Sequence, residues 1–112
     1  IFSWNEAIMP AVARQGDKVA SPNGFGNKCR FPGETSVGEG NSNGVYANGM
    51  LITVLGSAIS AHNLGPCGVP DTGVLISASS RVKIGGKGAG RIGDDYTNSD
   101  IITQGSFNVF VG

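Results

Sequence analysis

The residues best suited to chemistry in this chain are Cys29, His62 and Cys67, which are its only cysteines and its only histidine. His62 and Cys67 lie close together in the sequence, and Cys29 lies in an earlier Gly-rich stretch. Two thiolates and an imidazole form a soft ligand set that suits Zn²⁺ or Fe²⁺. These three side chains from two loops are therefore candidate ligands of a metal ion.

Two other interpretations of the same residues stay open. Cys29 and Cys67 could form a disulfide, or both could be free buried thiols beside an incidental histidine. A Cys/His nucleophile would also need an orienting group and an oxyanion site, and the sequence has a signature of neither. We therefore expect no enzymatic activity.

Composition explains why a cross-link is expected at all. A chain of 112 residues is predicted to form one domain with a modest core. Its 19 glycines increase the entropy lost on folding and add no buried side-chain area. Eight basic and eight acidic residues, without a basic cluster, argue against nucleic acid as a partner.

An eight-residue phrase occurs three times, as PAVARQGD at 10–17, MLITVLGS at 50–57 and KGAGRIGD at 87–94. A second phrase precedes the later copies, as NSNGVYANG at 41–49 and ASSRVKIGG at 78–86, and returns as GSFNVFVG at 105–112. In our alignment a Ser lies three positions before Val45, Val82 and Val109, and a small residue precedes each Ser. Three ordered copies predict three turns of one supersecondary element.

The local pattern of each copy predicts β structure. Apolar residues alternate in Val82 and Ile84 and in Val109 and Val111, and no window keeps a helical period without Gly or Pro. Asn48-Gly49 and Gly85-Gly86 are strong hairpin-turn signals. We predict an all-β fold, a small pseudo-threefold conical body of three β-hairpin repeats with long Gly-rich loops.

Residues that recur in the copies are expected to serve the shared scaffold, whereas residues that occur once are free to serve function. Arg14, Asp17, Arg91 and Asp94 recur at corresponding positions, so we interpret each Asp as closing a Gly-Asp turn and each Arg as its partner. The glycines of GGKGAGRIGD lie between alternating strands rather than at a helix start, which argues against a phosphate-binding loop. Cys29, His62 and Cys67 occur once each and are free to serve function.

The phrases resemble those of PAAR-repeat proteins, a family named for a Pro-Ala-Ala-Arg stretch followed shortly by Gly-Asp. The resemblance covers residues 9–112, with Val54 and Ser57 in the middle copy where the other copies have Arg and Asp. It implies a cone that caps the trimeric β-helical spike of a contractile injection machine, one copy per trimer. It also implies one metal ion near the point, held by His and Cys, with Asn98, Asp95, Asp100 or water completing the shell.

The resemblance further implies a place and a role. We expect a virion protein at the spike tip of a phage tail baseplate, made in the host cytoplasm, that helps to pierce the host outer membrane through transient contact. A reducing cytoplasm disfavours the Cys29–Cys67 disulfide. Phe107, Phe110 and Val111 are candidates for part of the spike contact.

Two alternatives have their own signals. Type VI secretion spikes carry the same module, often with extensions, and this chain ends within the last phrase, which favours the phage tail. A small β module for surface or carbohydrate recognition would use the first long loop, with Asn23, Phe25, Asn27, Arg30 and Phe31. Residues 1–8 are an extension of unknown role in which Phe2, Trp4 and Ile8 form an apolar strip.

Overall fold

The computed structural model describes residues 9–21, 33–60, 62–63, 70–97 and 99–112. These residues contain only short strands: β1 (Lys18–Ser21), β2 (Gly33–Ser36), β3 (Tyr46–Ala47), β4 (Met50–Leu51), β5 (His62–Asn63), β6 (Pro70–Asp71), β7 (Lys83–Ile84), β8 (Lys87–Gly88) and β9 (Ile101–Ile102). The predicted all-β class is confirmed. Among the described residues there is no helix of the length and apolarity that crossing a membrane requires.

The strands form small antiparallel sheets. One sheet has the order β2-β1-β9, and the others are the hairpins β3–β4, β5–β6 and β7–β8. In the two predicted hairpins, Asn48-Gly49 and Gly85-Gly86 all have positive φ, between 56° and 83°. Positive φ at both central residues matches the twist of a two-residue hairpin, so the predicted turns are confirmed.

The three copies of the first phrase meet in a closed ring of backbone hydrogen bonds. We call residues 12–14, 52–54 and 89–91 the ring segments. The Thr53 N–H donates to Ala13 O at 3.0 Å, the Gly90 N–H to Thr53 O at 2.9 Å, and the Ala13 N–H to Gly90 O at 2.8 Å. Each ring segment therefore pairs with both of the others.

The last phrase supplies the strand that the first copy lacks in sequence. Phe110 bridges Ala11 in antiparallel orientation, the Val12 N–H donates to Val109 O at 2.9 Å, and the Val111 N–H donates to Pro10 O at 2.9 Å. Pro10 then opposes Val111 as Met50 opposes Ala47 in β3–β4. We call this pairing of the two ends of the described chain the third hairpin, and its register assigns Gly112 and Met9 to the places of the two turn residues.

The buried apolar side chains form two clusters. The hairpin cluster consists of Val12, Ala47, Ile52, Val54, Ile84, Ala89 and Val111. The loop cluster consists of Ala13, Val19, Val37, Ile59, Leu75, Tyr96 and Ile102. Neighbouring Val12 and Ala13 belong to different clusters, because successive side chains of an extended backbone point to opposite sides. The ring thus separates a core beneath the hairpins from a core beneath the connecting segments.

The connecting segments also pair with one another around the loop cluster. Val37 bridges Ile59, Leu75 bridges Tyr96, and Val19 pairs with Ile102. Parts of the predicted Gly-rich loops are therefore strands, which the sequence analysis missed. The pseudo-threefold symmetry and the conical outline stay predictions.

A circular permutant tests the third hairpin. We predict that joining Gly112 directly to residue 9, with Met9→Gly, removing residues 1–8 and opening the chain between Gly85 and Gly86, yields a folded protein. The new Gly-Gly turn would copy Gly85-Gly86, where both residues have positive φ. Circular dichroism and cooperative thermal unfolding measure the outcome. A permutant that stays unfolded would contradict the assignment of Gly112 and Met9 to the turn.

Candidate functional site

The predicted metal ligands fall largely outside the described part of the chain. Cys29, Cys67 and the candidate fourth ligand Asn98 lie there, and so does any contact between the two cysteines. The backbone of His62 is described, in β5 opposite Asp71. Among the described residues, no group of three or more His, Cys, Asp or Glu side chains could hold a metal ion. The ligand set stays a prediction.

The two chain segments that carry these ligands are connected to parts of the described body that contact each other. The loop with Cys29 connects β1 and β2, and the loop with Cys67 connects β5 and β6. Val37 and Ile59 form an antiparallel bridge, and the Ser60 N–H donates to Ser36 O at 2.9 Å. The end of β2 therefore lies next to the segment that leads to β5.

The two Asp residues of the repeat close turns, as interpreted from the sequence. Asp17 Oδ2 accepts from the Arg14 N–H at 2.7 Å, and Asp94 Oδ2 accepts from the Arg91 N–H at 2.8 Å. Gly16 and Gly93 lie between the Arg and the Asp of each turn. Their φ angles are 94° and 93°, which a residue with an L side chain adopts only with strain. Each carboxylate thus satisfies backbone rather than facing a substrate.

Each Arg completes its own turn with two charge-assisted bonds. Arg14 Nη2 lies 2.8 Å from Asp17 Oδ1, and its Nε donates to Oδ2 at 3.0 Å. Arg91 repeats both contacts with Asp94, at 2.9 and 3.0 Å. The side-chain hydrogen bond to Asp94 raises the pKa of Arg91 above its usual value. The Arg14 pair is the more buried, with side chains only 7% and 2% exposed.

Arg14 also joins separate parts of the fold. Its Nη1 donates to Asn48 Oδ1 at 3.0 Å, and Asn48 Nδ2 donates to Asn108 Oδ1 at 2.8 Å. The Ser106 hydroxyl donates to the same Asn48 oxygen at 2.5 Å. The turn of β3–β4 is thereby linked to the first and last phrases, which gives Asn48 a role beyond its positive φ.

The middle copy makes the same turn without charge. The Ser57 N–H donates to Val54 O at 3.0 Å, as the Asp17 N–H does to Arg14 O, and the Val54 N–H approaches Ser57 Oγ at 3.4 Å. Gly56 has φ of 87°. The turn itself therefore does not depend on the ion pair.

Three polar side chains that sequence reasoning did not single out cap the second phrase. Ser79 Oγ accepts from the Val82 N–H at 2.9 Å, and Ser106 Oγ accepts from the Val109 N–H at 2.9 Å. In the first copy, Asn41 Oδ1 accepts from the Val45 N–H at 3.1 Å. Our alignment placed Ser42 in this column, whereas the contact is made by Asn41, whose longer side chain reaches the same backbone from one residue further away. The signal was a polar residue at the start of all three copies.

One buried polar group stands apart. The Tyr96 hydroxyl is buried in the loop cluster and has no hydrogen-bond partner in the part of the chain that the structure describes. Burial raises the pKa of Tyr96, and the nearby carboxylate of Asp100 raises it further, so the hydroxyl stays protonated. A protonated, desolvated phenol acts as a hydrogen-bond donor rather than a base.

A polar groove of about 720 Å³ runs beside β8, with Gln15, Glu39, Asn41 and Lys87 among its lining residues. Most of these polar groups are already engaged. Gln15 donates to Gly38 O at 3.1 Å, Glu39 accepts from the Ala58 N–H at 3.3 Å, and both Asn41 amide hydrogens reach backbone carbonyls. The groove offers few uncommitted groups for a ligand.

No protein-family model and no curated protein matches this chain.

Substitutions in the ion-paired turns test the assignment of these residues to the scaffold. We predict that Asp17→Asn lowers the free energy of unfolding by about 3 kcal/mol, because it leaves the buried Arg14 without its charge partner. Asp94→Asn should cost less, since Arg91 is 23% exposed. Urea denaturation measures both.

The middle copy supplies the matched control for this prediction. Arg14→Val with Asp17→Ser reproduces Val54 and Ser57 and leaves no buried charge, so it should cost less than Asp17→Asn alone. A double variant at least as unstable as Asp17→Asn would contradict the prediction.

Proposed function

We propose that this chain is a non-enzymatic structural module that caps a trimeric β-helical spike, with one copy per trimer. The observation that carries the proposal is the closed ring in which Ala13, Thr53 and Gly90 hydrogen-bond one another in turn. A single chain with three corresponding segments could offer each subunit of a trimer a related surface. The resemblance of the repeated phrases to PAAR proteins supports the same role, at the tip of a phage tail.

The hairpin side of the ring is the better candidate for the spike contact. Val45, Val82 and Val109 accept backbone hydrogen bonds from Ile52, Ala89 and Val12, so they occupy corresponding places around the ring. Val45 and Val82 are each 38% exposed, and Val109 is partly buried against the hairpin cluster. The alternating pattern predicted that Val82 lies on the same buried face as Ile84. Because Val82 is instead exposed, its apolar side chain can become buried when a complex forms.

We also propose a metal site on the side of the ring opposite the hairpins. Two thiolates and one imidazole suit Zn²⁺ or Fe²⁺, and the strands that lead to them lie side by side at Ser36 and Ser60. Cys29, His62 and Cys67 would hold the ion. Bound there, it would supply a cross-link between the two loops rather than any reaction, and would stabilise a narrow tip.

The recognition-module alternative has no supporting observation of its own, because the loop residues it would use lie outside the described part of the chain.

Binding to a spike tests the proposed role. We predict that the purified chain binds a trimeric β-helical spike fragment with one chain per trimer, measured by native mass spectrometry and calorimetry. Val82→Glu should weaken binding about tenfold or more, because a charge buried at an apolar contact costs at least ~1.4 kcal/mol. Thr72→Glu, an exposed control on the loop side, should bind normally. A chain that binds no such trimer, or a Val82→Glu variant with full affinity, would count against the proposal.

Elemental analysis tests the metal separately. We predict one equivalent of zinc or iron in the purified protein, lost or strongly reduced in Cys29→Ser, His62→Ala and Cys67→Ser. Chelation should lower the melting temperature of the unmodified chain, since metal bound only to the folded state contributes to its stability. Full metal content in all three variants would refute the ligand set and leave the spike proposal standing.

A further inference from the structure

An apolar groove beside the third hairpin has no cover in the described part of the chain. It encloses about 400 Å³ and is lined by Pro10, Ala11, Ile92, Ser106, Phe107 and Phe110. We call it the terminal groove. Phe107 is 80% exposed and Ile92 39% exposed, an unusual amount of apolar surface for one place on so small a body.

Several polar atoms around the terminal groove are already paired. The Ile92 N–H donates to Ala11 O at 3.0 Å, and the Val111 N–H donates to Pro10 O at 2.9 Å. Ser106 Oγ accepts from the Val109 N–H and donates to Asn48. Little remains to bind a polar ligand, so the surface favours an apolar occupant.

Each of the other two sides of the ring is apolar at only one of the two corresponding places. Beside β3–β4, Tyr46 corresponds to Phe110, but Gln15 corresponds to Ile92. Beside β7–β8, Leu55 corresponds to Ile92, but Lys83 corresponds to Phe110. The shared scaffold therefore does not require apolar side chains at both places, as the third side has.

The first eight residues join the described chain at the edge of this groove. They read IFSWNEAI and connect at Met9, next to the lining residue Pro10. In an extended chain, Phe2, Trp4 and Ile8 project to one side because they are separated by even numbers of residues. Five residues span at most about 17 Å, so Trp4 stays within that distance of Met9.

We propose that the apolar strip of Phe2, Trp4 and Ile8 occupies the terminal groove of its own chain and packs against Phe107, Phe110 and Ile92. The tether gives the strip a high effective concentration at the groove, which a free partner of the same composition lacks. Its burial would add apolar area to a protein with a modest core. The extension is then the cover of the third side of the ring.

Fluorescence tests this directly, because Trp4 is the only tryptophan in the chain. In the free, full-length protein we expect Trp4 emission to be blue-shifted relative to the urea-unfolded chain and protected from quenching by iodide. Phe107→Ser and Ile92→Ser should each red-shift the emission and increase quenching. Both side chains are already exposed in the described structure, so these changes leave the core intact, and circular dichroism checks the fold.

Tyr46→Ser is the matched control, since Tyr46 is 60% exposed and takes the place of Phe110 in another hairpin. It should leave the Trp4 emission unchanged. A Trp4 as accessible to iodide in the native chain as in urea, or one insensitive to both groove variants, would overturn the proposal. Protection lost on dilution together with a dimer in light scattering would assign the groove to the strip of a second copy and overturn it equally.

Discussion

The structure depends on one interaction, the closed cycle of backbone hydrogen bonds among Ala13, Thr53 and Gly90. Three chain segments can meet in this way only if their side chains at the meeting point are small. Ala13 and Thr53 are fully buried, and a Cβ on Gly90 would lie 2.6 Å from Thr53 Cγ2, which is closer than packed atoms allow. The ring therefore sets the residue sizes at its centre and divides the core into two clusters.

Because the clusters are small, the fold relies on buried polar groups that satisfy its backbone. Asn41, Ser79 and Ser106 hold the second phrase, and the Asp17 and Asp94 carboxylates hold the turns of the first. Each such bond contributes about 1 kcal/mol, whereas a buried donor left unpaired costs 1–3 kcal/mol. The repeated polar residues thus preserve a geometry that the hydrophobic clusters alone would specify less strictly.

Sequence reasoning succeeded where the determinants were local. The turns at Asn48 and Gly85 and the all-β class follow from neighbouring residues, and so does the Arg–Asp pairing across three residues. It missed β1 because Val19 finds its partner Ile102 far along the chain, and no local pattern encodes such a contact. It also placed Ser42 in the column that Asn41 fills, because equal spacing does not reveal a longer side chain that reaches the same atoms. Of the predicted metal site, the structure describes the backbone of His62 and two candidates for the fourth ligand, Asp95 and Asp100.

The difference between inward and outward positions shows where specific chemistry can reside. Ala47, Ile84 and Val111 take corresponding places and are all buried and apolar, since each contributes to the same cluster. One residue earlier in each hairpin, the outward side chain is aromatic at Tyr46 and Phe110 but charged at Lys83. The shared cluster therefore fixes the inward positions, whereas the outward positions can differ without cost to the core. A contact that belongs to one side of the body, such as the one at Phe110, is carried by the outward positions.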